Sequence, residues 1–246
     1  MKKPGWKVKF SFFLILLSVL LYIVHFAIFH DFHHIIIYLI GDIAFLPLDV
    51  LLVTLILHSV LEMREKKAML RKLNMVIGAF FSEVGTGLLK AFGEFDPRRQ
   101  ELAAAIKTTG NLAEVNLQDV KRRIALFDFT AEATKGNLEG LKAFLVERRR
   151  FILDLLGNPN LLEHESFTEL LWAVFHLTEE LALREDMTAL PPSDLKHLSG
   201  DISRVYRLLV LEWLDYMSHL KASYPYLFSL AVRTNPFETG GSVVVT

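Results

Sequence analysis

Two long apolar runs, a few residues apart, constrain this chain more than anything else in it. The first, "FSFFLILLSVLLYIVHFAIF", occupies the 20 residues from Phe10 to Phe29 and carries no formal charge when His25 is neutral. The second, "IIIYLIGDIAFLPLDVLLVTLILHSVL", occupies the 27 residues from Ile35 to Leu61. About 20 helical residues span roughly 30 Å, one hydrocarbon core. Lipid offers no partner to backbone N–H and C=O groups, so such runs cross it as helices. Lysines precede the first run (Lys2, Lys3, Lys7 and Lys9), which also fits a signal peptide. No small-x-small cleavage pattern follows, and the second apolar run arrives at once, so the first is read as an uncleaved span.

Charge sets the expected sidedness. "EMREKKAMLRK", Glu62 to Lys72, holds five basic and two acidic residues, while the connector "HDFHH" has histidines but no lysine or arginine. Basic residues thus flank both outer ends of the pair, which places both ends in the cytoplasm under the positive-inside bias. The expected fold class is an all-α integral membrane protein of the plasma membrane, the inner membrane of a prokaryote. Residues 1–61 form a two-helix transmembrane hairpin and 62–96 a juxtamembrane amphipathic segment. Residues 97–234 form a cytoplasmic helical bundle and 235–246 a flexible tail.

Composition narrows the function classes. Formal net charge is −1, from 27 basic and 28 acidic residues, which gives no global attraction to nucleic acid. The chain has no cysteine, which excludes disulfides, thiolate nucleophiles and cysteine metal sites. Hydrophobic residues make up 52% and mean hydropathy is +0.35, with the excess concentrated in the first 61 residues.

The second run carries Asp42 and Asp49 on either side of Pro47. Gly41 and Pro47 divide the run in this reading, with Asp42 capping a helix start. On a continuous helix the two acids share a face, about 10 Å apart along the axis. A lipid-facing carboxylate costs on the order of 3 kcal/mol at the bilayer centre. Asp49 is therefore expected to pair, with His25 as the nearest partner in this reading, or to face protein through self-association of hairpins. Asp42, Asp49, His25 and Thr54 make up the candidate ion path. The outer cluster His30, Asp31, His33 and His34 has metal-ligand chemistry, although adjacent histidines seldom converge on one ion.

Downstream, Leu73, Ile77, Phe80, Val84 and Leu88 form one helical stripe, broadened by Phe81, Leu89 and Phe92. Glycines and end polarity argue against a third span there. Asp96 and Pro97 open a helix over about 98–108, and "TGN" at 109–111 ends it. Further helices are expected over 115–128, from Leu138 to the "GNPN" stop, from a Ser166/Glu169 capping box, and in one long run from "PPSDL" onward. Arg148, Arg149 and Arg150 form the clearest basic run, suited to anionic headgroups or an acidic partner.

His176 with Glu180, Asp215 with His219, and Asp194 with His197 are helix-spaced polar pairs. A di-metal bundle would require two inward-facing E-x-x-H repeats at matching positions, and these are missing. No Walker loop, dinucleotide fingerprint, nucleophile elbow or H-E-x-x-H occurs, so no cofactor is expected. The preferred function is an oligomeric membrane scaffold or sensor whose cytoplasmic bundle binds a protein partner. A small homo-oligomeric cation channel comes second. A membrane-bound metal-dependent enzyme using His176, Glu180, Glu212 and His219 comes third.

Overall fold

The computed structural model describes residues 5–107, 115–159, 161 and 164–238. The expected breaker at 109–111 and the terminal "SVVVT" lie outside these residues. Among the described residues all regular structure is helical. The chain divides into two compact units, Met1–Lys66 and Lys67–Thr246.

The first unit contains α1 (Trp6–Phe29) and the leading part of α2 (Phe32–Phe80). His30 joins them in the left-handed conformation, with φ 51°, and its N–H donates to the Phe26 carbonyl. Asp31 Oδ1 accepts the His34 N–H at 3.1 Å and so caps α2. Asp42 therefore does not cap a helix start; it lies inside α2. Pro47 likewise does not divide the run. The helix passes through it and forgoes one backbone hydrogen bond, a loss that spanning helices tolerate. Nearly every side chain of α1 and of α2 up to Glu65 is exposed, His25 and Ile35 being half-buried. Trp6–Phe29 and Phe32–Lys66 are each long and apolar enough to cross a membrane.

The second unit is a packed helical bundle. Its elements are the end of α2, a π-turn (Phe81–Gly85), α3 (Thr86–Phe95), α4 (Arg99–Lys107), α5 (Leu117–Ile124), α6 (Leu138–Leu156), α7 (Glu165–Ala182), α8 (Pro192–Ser223) and α9 (Pro225–Arg233). The stripe Leu73, Ile77, Phe80, Val84 and Leu88 is buried, as are Phe81, Leu89 and Phe92. Lys72–Phe95 meets the length and hydropathy of a span, yet 44% of its most apolar window is buried within the bundle. The π-turn lies within this stretch. It brings the Phe81 ring so close to Gly85 that a Cβ there would lie 2.5 Å from it. Phe81 stacks on Tyr216 of α8, with ring centroids 4.9 Å apart.

The long helix α8 packs against α3, α5, α7 and α9. Ser199 and Ser203 on α8 accept the N–H groups of Ala133 and Ala131, fixing the loop before α6. Two helix starts differ from expectation. His164, not Ser166, caps α7: its Nδ1 accepts the Phe167 N–H, while Ser166 Oγ donates to Glu212. The long terminal run breaks at Tyr224 because Pro225 restricts the residue before it and begins α9. Asn235 and Phe237, beyond α9, are buried, the latter against Trp213.

Candidate functional site

The most chemically distinctive cluster lies where α7 faces α8. Phe167, Leu170, Leu171, Val174, Leu177 and Leu181 bury one stripe of α7. On α8 the matching stripe includes Leu198, Ile202, Val205 and Leu209. His176 lies at the rim of this interface. His197 and Asp201, one turn apart on α8, lie at the same rim. His176 Nε2 is 3.5 Å from Asp201 Oδ2, and His197 Nε2 is 3.3 Å from the same oxygen. All three potential ligand atoms fall within 4.8 Å of one another.

Asp201 is only 7% exposed. Its Oδ1 accepts from Arg204 Nη2 at 2.8 Å, but its Oδ2 is enclosed and has no hydrogen-bond partner. A buried carboxylate oxygen without a hydrogen bond carries a desolvation cost, which either imidazole would offset by pairing with it when protonated, or which a cation held between them would offset. Zinc supplies a quantitative test. With bonds of about 2.0–2.1 Å at the tetrahedral angle, ligand atoms sit roughly 3.3 Å apart. The two imidazole-to-carboxylate distances match that edge length. Two histidines and one carboxylate also form the donor set that leaves a fourth position open.

The surroundings hold the ligands in place. Glu180 Oε2 is 3.5 Å from His197 Nε2. Arg184 donates to Glu180 Oε2 at 2.8 Å and to both oxygens of Asp194, at 2.6 and 2.8 Å. These hydrogen bonds hold the Glu180 and Asp194 carboxyls below their ordinary range and push the guanidinium up. A groove of about 310 Å³ adjoins His176 and is lined by Glu169, Trp172, Ala173, Arg204 and Leu208.

A second polar cluster lies deeper. Glu212, 3% exposed, accepts from Ser166 Oγ at 3.0 Å. His164 Nε2 stands 3.8 Å from its other oxygen. Burial pushes the Glu212 carboxyl up, with His164 and Ser166 opposing. Ser166 donates directly to the carboxylate, and the histidine does not relay between them as it would in a nucleophilic triad. His219 packs against Tyr224 and Asp215 pairs with Lys121, so neither joins Glu212 in a metal site.

The remaining sequence-selected residues are dispersed. His25, His34 and Asp42 line one cavity of the hairpin, where His25 stacks on His34, and Asp49 is not among the residues lining it. Asp49, Thr54, His30 and His33 are exposed on α2 or at the turn. Arg148 donates to the Glu83 carbonyl and stacks on Phe144; Arg149 pairs with Glu179; Arg150 is exposed. Of the metal cluster, sequence reasoning selected His176 but missed Asp201 and the His197–Asp201 pairing. The available signal was the H-x-x-x-D spacing on α8.

Comparison with known proteins returns matching relatives but no activity. Residues 69–233 match the family model described as the C-terminal helical domain of the uncharacterized protein MJ1433, and residues 2–61 match that protein's N-terminal helical domain. The protein named "Uncharacterized protein MJ1433" from Methanocaldococcus jannaschii is 46% identical over 231 residues, covering 94% of this chain and 93% of that one. No solved structure matches.

Proposed function

Since the chain belongs to the MJ1433 family, both of whose helical domains it carries, we propose that it is a membrane-anchored metal-binding protein, with the metal held by the α7/α8 face of its bundle. The observation that carries this reading is the convergence of two imidazole Nε2 atoms on the enclosed Asp201 Oδ2, all three within 4.8 Å. His176, His197 and Asp201 are the ligands. Arg204 orients the carboxylate, and Arg184 restrains Glu180 beside His197. A zinc ion held by these residues would supply Lewis acidity and would lower the pKa of a bound water. The adjoining groove, with Trp172 as an apolar wall and Glu169 and Arg204 as polar ones, gives a substrate or effector access to the ion. In this reading the membrane-anchored bundle performs metal-dependent catalysis rather than passive scaffolding.

The hairpin is the anchor in this reading. Its exposed apolar side chains require lipid, and the lysine-rich flanks place the bundle in the cytoplasm. Self-association of hairpins supplies protein partners for the embedded acids.

Purified full-length protein in mild detergent, stripped with chelator and titrated with zinc, tests the metal reading. One equivalent is expected to bind, with loss of at least about tenfold in affinity in Asp201→Asn and in His197→Ala. Zinc binding unchanged in both variants removes the proposal. The absence of native cysteine makes topology equally testable. Asp31→Cys is expected to label with an impermeant maleimide in intact cells, and Glu185→Cys only after lysis.

A further inference from the structure

The hairpin has a site of its own. Between α1 and α2 lies a cavity of about 420 Å³ lined by Ser18, Leu21, Tyr22, His25, His34, Ile35, Tyr38 and Asp42. Its polar members are periodic on both helices. Ser18, Tyr22 and His25 follow the 4,3 spacing of one face of α1, and His34, Tyr38 and Asp42 follow the 4,4 spacing of one face of α2. The histidines meet nearest the turn, His25 and His34 stacking with centroids 6.0 Å apart and planes within 4°. Tyr38 packs edge-on to His34 at 4.7 Å. Eight residues separate His34 from Asp42, about 12 Å along α2, so the carboxylate lies deeper in the apolar layer than the histidine pair.

We infer that this cavity binds a small organic ammonium ion, with Asp42 as counter-ion. The inference rests on the membrane placement proposed above and not on the metal site. Four features select this ligand class. Asp42 is the one formally charged residue in the lining, so the site favours a cation. The faces of Tyr22 and Tyr38 are negative and suit an ammonium group. Leu21 and Ile35 offer apolar wall to a hydrocarbon substituent. The volume falls in the range for small organic ligands. Among the described residues, three metal-ligand atoms converge within 4.8 Å only at His176, His197 and Asp201, and the hairpin donors form no such three-ligand cluster. A bound ammonium would also offset the cost of holding a carboxylate within lipid.

The test uses full-length protein in nanodiscs, with empty nanodiscs subtracted, and phenethylammonium as the probe. Phenethyl alcohol is the neutral control of similar shape. Saturable binding of the ammonium is expected, at least about tenfold tighter than the alcohol. Asp42→Asn is expected to weaken it by about tenfold or more, and Tyr38→Leu by about fivefold. Asp49→Asn and His197→Ala are expected to leave it unchanged, the latter separating this site from the metal site. Equal binding of amine and alcohol overturns the inference. So does full binding by Asp42→Asn, or no saturable binding at all. Circular dichroism and elution volume identify any variant that has failed to fold, and Tyr38→Phe, which keeps the ring, must then retain binding. Detergent-dependent fractionation tests the membrane placement separately.

Discussion

The buried carboxylate of Glu212 makes stability respond to pH in a way that its neighbours control. Ser166 Oγ donates to it at 3.0 Å, and Ser166→Ala removes that donor without filling the space. A hydrogen bond to a buried charged group contributes on the order of 2 kcal/mol. For a unit of this size, roughly 2–4 °C of melting temperature accompanies each kcal/mol, so a loss of about 4–8 °C is expected at pH values where Glu212 is ionised. The sign of the pH dependence follows from burial. Because burial raises the Glu212 pKa above 4.5, the folded state binds more protons than the unfolded state between that value and the folded pKa. Stability therefore falls as pH rises through this window, and the penalty persists above it. Losing the Ser166 donor raises the folded pKa further, so the deficit of Ser166→Ala should grow from pH 5 to pH 8. Glu212→Gln retains an acceptor for Ser166, removes the titration and should flatten the slope. Thermal unfolding of the full chain in mild detergent, followed by near-UV circular dichroism, reads both. A Ser166→Ala deficit equal at both pH values, or an unchanged slope in Glu212→Gln, refutes the reasoning.

Arg184→Ala should cost about 1–2 kcal/mol at neutral pH, through loss of its charge-assisted bonds to Asp194 and Glu180. Both carboxyl pKa values are lowered, so that stability is present above the ordinary carboxylate range and lost below it; the gap to wild type should close in acid melts. Gly136→Ala would place a Cβ 2.5 Å from the ring of Phe95, itself 1% exposed, and should lower stability by about 1–3 kcal/mol in denaturant titration. Phe80→Ala, which removes a fully buried ring packed edge-on against Phe167 at 5.3 Å, should cost about 3–5 kcal/mol by the same measure. Zinc at 100 times its dissociation constant should stabilise wild type by about 2.7 kcal/mol and Asp201→Asn by no more than about 1.4 kcal/mol, read as a shift in melting temperature.

Much of the helix order was legible because apolar periodicity is a property of the chain itself. The stripe from Leu73 to Leu88, the helix from Leu138 and the long helix before Tyr224 all follow from spacing and from Asn, Gly and Pro at their ends. Three features were not legible. Pro47 signals a break, yet α2 passes through it because flanking turns supply the helix with enough hydrogen bonds. The π-turn at Phe81–Gly85 depends on the fit of Phe81 against Tyr216, a partner 135 residues away, which no local pattern records. The Ser166 capping box was displaced because a neighbouring histidine offered a ring nitrogen to the Phe167 N–H, freeing the hydroxyl for Glu212. In each case a tertiary or alternative local partner outweighed the local rule.

The same distinction separates the two proposed ligand sites. In the hairpin, Ser18, Tyr22 and His25 precede a short turn, and His34, Tyr38 and Asp42 follow it. A turn this tight brings the two polar faces together almost by necessity. The metal cluster required more: His197 and Asp201 are one helical turn apart, but His176 reaches them only because α7 and α8 pack through their leucine-rich stripes. Hydrophobic burial holds α7 to α8, and at the rim a protonated His176 would add a pairing with the Asp201 carboxylate across the interface. Under the proposed metal reading the same three side chains exchange that pairing for an ion, and the two imidazole-to-carboxylate spacings of 3.3 and 3.5 Å lie close to a tetrahedral edge.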